Sequence, residues 1–159
     1  MQDMIRVAVD AMGGDNAPDE IIKGAMEAIA LREDIQVLLV GKEELIREKL
    51  KGYSYREQQV EIVNATEVIE TAEPPVAAIR TKKDSSIVVS QRLVREGKAD
   101  AFVSAGSTGA VLVGSQVLIG RIRGIERPAL APLIPTTKGF SLLIDCGANV
   151  DAKPSNLVQ

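Results

Sequence analysis

Short, mainly apolar runs alternate along this chain with longer stretches in which apolar residues recur at helical spacing. Ile5-Arg-Val-Ala-Val9 is the first run and ends at Asp10, a strand by its pattern. Ile21, Ile22, Ala25, Met26, Ala28 and Ile29 then mark an amphipathic helix over 18–32. Pro18 suits its first turn, and Asp19 and Glu20 suit the positive end of its dipole. Residues 35–40 form a second apolar run closed by Gly41. Charged residues with Leu45, Ile46 and Leu50 then give a second helix over 42–51, and 60–63 a third strand. Strand and helix in alternation predict an α/β domain with a mostly parallel sheet flanked by helices.

The pattern is less regular over 64–83, where Pro74-Pro75 interrupts any helix and 76–79 reads as a short helical turn. Asp84, Ser85 or Ser86 is expected to cap a helix that buries Ile87, Val88, Val89, Leu93 and Val94 and stops at Gly97. A strand over 100–103 leads into Ser104-Ala-Gly-Ser-Thr-Gly109, and one helix is expected from there to about Ile119. Residues 121–127 read as basic and exposed, 128–135 as extended, and 141–145 as a last strand. Pro154 reads as a helix start. No repeat or linker divides the chain, so 1–159 is expected to be one α/β domain, a piece of a longer fold.

Composition narrows the picture. Trp is absent and aromatics are 3%, so the core must be Val, Ile, Leu and Ala, as in buried parallel sheets. A net charge of −3 argues against a nucleic-acid surface. No apolar run is long enough to span a bilayer, and the first residues lack the basic-then-apolar order of a signal peptide. A single cysteine, Cys146, fits a reducing compartment, so a cytoplasmic protein is expected. The absence of histidine removes Ser-His and Cys-His nucleophile pairs and argues against a zinc site. With no base beside it, Cys146 reads as a small buried residue.

Three loops share one grammar, each following a predicted strand and carrying Gly with acids or hydroxyls. They are residues 10–18, 104–109 and 145–151. Ligands of open α/β sheets bind at the C-terminal ends of strands, so the three are expected to converge on one crevice. Ser107 or Thr108 would cap the helix that follows the second loop, whose first N–H groups suit an oxyanion. A tight connection that binds nothing, with Asp10, Asp15, Asp145 and Asp151 making only turn hydrogen bonds, fits the same spacing.

The same loops resemble a known family. Val9-Asp-Ala-Met-Gly-Gly-Asp15 with Pro18, Asp84-Ser-Ser86, Val103-Ser-Ala-Gly106 with Thr108-Gly-Ala110, Gly124-Ile-Glu-Arg-Pro-Ala-Leu130, and Asp145 with Gly147-Ala-Asn-Val-Asp151 resemble the bacterial phosphate acyltransferases of phospholipid synthesis. The family turn is commonly Ser-Ala-Gly-Asn-Thr-Gly, and here Ser107 stands at the Asn position. The resemblance implies the fold of phosphotransacetylases and isocitrate/isopropylmalate dehydrogenases, of which this chain would be the N-terminal half. It implies transfer of a long acyl group from acyl carrier protein to inorganic phosphate by a homodimer at or near the membrane. The product would feed a membrane acyl-phosphate acyltransferase. No cofactor, metal or nucleic acid is expected.

On that reading Asp10, Asp15, Thr108, Asp145 and Asn149 are the candidate catalytic residues. Gly13, Gly14, Ser85, Ser104, Gly106, Ser107, Gly109 and Gly147 are the candidate phosphate- and substrate-binding residues. Arg80, Lys82, Lys83, Arg121, Arg123 and Arg127 are candidates to meet the acidic carrier. A phosphotransacetylase or dehydrogenase of the same fold, and a non-catalytic piece needing its other half, are the alternatives.

Overall fold

The structure is a computed structural model that describes residues 4–147 and 153–158. The chain divides into two compact units, Met1–Ile119 and Gly120–Gln159.

The first unit carries a four-stranded parallel sheet. Its elements are β1 (Ile5–Asp10), α1 (Asp19–Leu31), β2 (Ile35–Gly41), α2 (Glu43–Leu50), β3 (Val60–Asn64), α3 (Pro75–Thr81), α4 (Ser86–Arg95), β4 (Ala101–Val103) and α5 (Thr108–Gly114). The strand order is β3-β2-β1-β4. The chain steps outward from β1 to β3, then returns to place β4 on the opposite side of β1. Alternation along the strands separates two cores. Val37 and Leu39 of β2 face Ile22, Met26 and Ile29 of α1 and Ile46 and Leu50 of α2. Ala8 and Val40 face the other way, against Val89 and the half-buried Leu93 and Val94 of α4. Helices thus cover both faces, as a parallel sheet of apolar strands requires. A third cluster joins Ala78 and Ile79 of α3, Ile87 and Val88 of α4 and Ala110 of α5.

Two departures from the expected elements have local causes. The helix begun at Thr108 does not run evenly to Ile119; it gives way after Gly114 to a wider π turn over Ser115–Ile119. In the second unit, β5 (Leu133–Thr136) and β6 (Gly139–Leu142) form an antiparallel hairpin where a single strand over 141–145 was expected. Thr136 pairs with Gly139 across a two-residue connection, and Gly139 takes φ +134°, a backbone angle that glycine alone adopts readily. The unit ends in α6 (Pro154–Val158), the helix start read at Pro154.

Two polar ties hold the first unit's connections. Gln59 is buried, and its Nε2 donates to the carbonyls of Arg32 (2.9 Å), Ile35 (3.2 Å) and, more weakly, Ile29 (3.5 Å). Gln59→Met keeps the length but strips those carbonyls of their donor. It is expected to lower the unfolding free energy by about 1–3 kcal/mol in urea titrations. Asp84, just before α4, accepts from the Thr66 N–H (2.9 Å) and hydroxyl (2.5 Å). Those bonds, the hydroxyl's first, hold its carboxyl below the usual aspartate range. A depressed folded pKa stabilises above the unfolded value and is lost as pH falls through the folded one. The stability gap between wild type and Asp84→Asn should therefore be constant near neutrality. It should narrow below about pH 4, measured by urea unfolding across pH.

Candidate functional site

In the first unit, the sequence of crossovers fixes where a ligand can approach. Consecutive strands run outward from β1 to β3, so the connection reverses between β1 and β4. The loops leaving these two strands part in opposite directions, and ligands of open α/β sheets sit at such a reversal. The loops are residues 11–18 after β1 and 104–107 after β4, two of the three predicted from sequence.

Asp10 ends β1 with its carboxylate almost fully buried, 1% exposed. One oxygen, Oδ1, accepts the Met12 N–H at 3.1 Å, an Asx-type turn that starts the loop. The other, Oδ2, accepts the Ser104 hydroxyl at 2.7 Å, and Ser104 Oγ in turn accepts the Gly106 N–H at 3.0 Å. The candidate catalytic Asp10 is therefore occupied in joining the two loops. Glycine lets them close. A Cβ on Gly13 would lie 2.4 Å from Asp10 Oδ2 and 2.9 Å from the Gly106 nitrogen. A Cβ on Gly106 would lie 3.2 Å from Gly13 Cα. Gly14, at φ +104°, stands beside the Ala105 carbonyl. Asp15 is exposed on the same loop.

Past Gly106 the chain turns into α5. Ser107 is buried, and its hydroxyl caps the helix by accepting the Ala110 N–H at 3.3 Å. Thr108 opens the helix with an exposed side chain. Gly109 has a packing duty: a Cβ there would sit 2.5 Å from Pro75 Cγ at the start of α3. Ser85 stands apart from this cluster. It is fully buried at the start of α4, makes no cap bond, and donates its hydroxyl to the Lys82 carbonyl at 2.8 Å.

The third loop belongs to the second unit. Asp145 Oδ1 accepts the Leu130 N–H at 3.4 Å, and Gly147 takes φ +79°. Asn149 and Asp151 lie outside the described residues. Cys146 is exposed rather than buried as expected, because β6 ends at Leu142 and the thiol follows the hairpin instead of a core strand. The basic candidates differ in availability. Lys82 is committed to Glu73 (2.5 Å) and the Val68 carbonyl (2.7 Å), and this cation holds Glu73 below the usual glutamate range. Arg80 and Lys83 are exposed at the end of α3, and Arg121, Arg123 and Arg127 are exposed in the second unit. Sequence reasoning missed Gln91, fully buried in α4 and bonded to α5; its only signal is an amide on an otherwise apolar helix face. Among the described residues no group of His, Cys, Asp and Glu is arranged to hold a metal ion, and no helix is long and apolar enough to cross a membrane.

The glycine contact is testable by itself. Gly13→Ala should force Asp10 off Ser104, costing about 1–3 kcal/mol of stability by overpacking. The loss should shrink on an Asp10→Ala background, with a remainder from the 2.9 Å approach to the Gly106 nitrogen, a coupling readable from urea unfolding of the four proteins.

A curated relative named phosphate acyltransferase, from Desulfitobacterium hafniense, is 56% identical over 98% of this chain. Another of that name, from Syntrophomonas wolfei, is 53% identical over 98%, and one from Thermoanaerobacter pseudethanolicus is 50% identical over 98%. This chain covers 46%, 49% and 46% of those relatives, so it spans about half the length of the curated proteins it matches. The family model described as fatty acid synthesis protein matches residues 5–159, and the chain belongs to that family.

Proposed function

We propose that this chain supplies part of the active site of an enzyme that transfers a fatty acyl group from acyl carrier protein to inorganic phosphate. The observation that carries it is the approach of Gly13 and Gly106 at the β1/β4 reversal, closed by the Asp10–Ser104 bond. Bare glycines at that meeting point let an anion come close to the backbone N–H groups that follow, from Ser107 to Gly109. The relatives' shared name supplies the acyl transfer to phosphate. The fatty acyl donor follows from the family's description and the sequence resemblance.

The reaction needs little from side-chain acids and bases. A phosphate oxygen attacks the thioester carbonyl carbon, and the carbonyl oxygen becomes an oxyanion. When that intermediate collapses, the carbon–sulfur bond breaks and the carrier leaves as thiolate. The protein's work is to hold two oxyanions in register. In this reading the N–H groups from Ser107 to Gly109 and the Thr108 hydroxyl meet phosphate. Asp10 and Ser104 keep the loops in place, and Gly14 and Asp15 form the neighbouring wall. Exposed Arg80 and Lys83 meet the acidic carrier.

The test is thiol release from long-chain acyl carrier protein by the full-length enzyme. Release should require inorganic phosphate and yield a hydroxylamine-reactive acyl phosphate. Thr108→Val should weaken transition-state binding by about 1.5–3 kcal/mol, and phosphate saturation should suffer more than carrier saturation. Equal thiol release without phosphate would mark a thioesterase and sink the reading.

A further inference from the structure

Gln91 lies one turn beyond Ile87 on the face of α4 that packs toward α5, and it is fully buried. Its Nε2 donates to the Val111 carbonyl at 2.9 Å and to Ser115 Oγ at 3.2 Å. A carbonyl only accepts, so the Val111 bond fixes which end of the amide is nitrogen. Oε1 therefore points the other way, toward Gly114, with no hydrogen-bond partner among the described residues. A Cβ on Gly114 would lie 2.0 Å from it. A buried amide with one end unsatisfied is a poor choice for stability alone, since an apolar side chain of the same length avoids the penalty.

What the amide does is fix a helix. Val111 takes the Gln91 proton on its carbonyl and donates its own N–H to the Ser107 carbonyl at 2.9 Å. One residue thus connects Gln91 to the turn after β4. One helical turn further along α4, Arg95 Nη1 donates to the Leu118 carbonyl at 2.5 Å, a second rung beyond the first. Between the rungs the helix widens into its π turn, the change expected where a side chain enters the carbonyl ladder.

We propose that Gln91 is a positioning residue, setting α5 along α4 and, through Val111, holding Ser107 and Thr108 in place at the phosphate site. This rests on the reading of that turn as the phosphate site. Gly114 follows as its necessary partner, because any side chain there would push the amide off Val111.

The experiment uses amide NMR of the chain, with inorganic phosphate as the probe. Gln91→Met keeps the length and removes both the donor and the unpaired oxygen. The amides of β1 to β3 should keep their positions while those of Gly106 to Ala110 shift and exchange faster. The phosphate titration midpoint read at those amides should rise about tenfold. Gly114→Ala should shift the same amides, and should add nothing on a Gln91→Ala background. If Gln91→Met lowers the unfolding temperature but leaves the Gly106 to Ala110 amides at their wild-type positions, the residue only fills the core and the proposal fails. If the wild-type turn does not respond to phosphate, the anion-site reading fails instead. The phosphate-free amide positions of Gln91→Met still decide whether Gln91 positions the turn.

Discussion

The hydrogen bond from Ser104 to Asp10 is the constraint on which the candidate site depends. β1 and β4 pair over only three residues, Val7 to Val9 against Ala101 to Val103. So short a ladder leaves its ends to be fixed by side chains. At the near end Arg6 and Asp100 make an ion pair at 2.9 Å, and the Asp100 carboxylate also accepts the Arg6 N–H. At the far end the buried Asp10 carboxylate takes the Ser104 hydroxyl. The first pair is exposed and replaceable in kind. The second is buried, and its geometry sets how closely two glycine loops meet.

Much of the fold was legible because parallel sheets write themselves plainly. A strand covered on both faces must be apolar where it is covered, as 37–40 is, and a covering helix must carry a stripe, as Ile22, Ala25, Met26 and Ile29 do. Strand order was not legible. Nothing in the residues of β4 says that it returns to the far side of β1, because both sides of β1 offer the same ladder. The hairpin of the second unit was misplaced for a related reason. Residues 141–145 are apolar enough for a core strand, but pairing follows the tight turn at Gly139, not hydrophobicity.

Within the site, sequence showed which residues carry special chemistry and was silent on what each spends it on. Asp10 and Ser104 were named separately, and only the sheet order makes them partners. Ser107 was named both as cap and as ligand, and its hydroxyl is engaged as the cap. Lys82 read as a cation awaiting an anion, yet its anion is Glu73. Gln91 escaped notice because an amide inside a helix pattern looks like a solvated position. Its burial depends on α5, which is distant in sequence and adjacent in space.

The contact between Pro75 and Gly109 has a mechanical consequence. A proline ring against a bare helix backbone leaves no room to slide, so α3 and the first turn of α5 travel as one body. The far end of α3 is tied by Lys82 to Glu73, in the irregular stretch that follows β3. A displacement of that first turn would therefore be carried through α3 to Lys82 and Glu73.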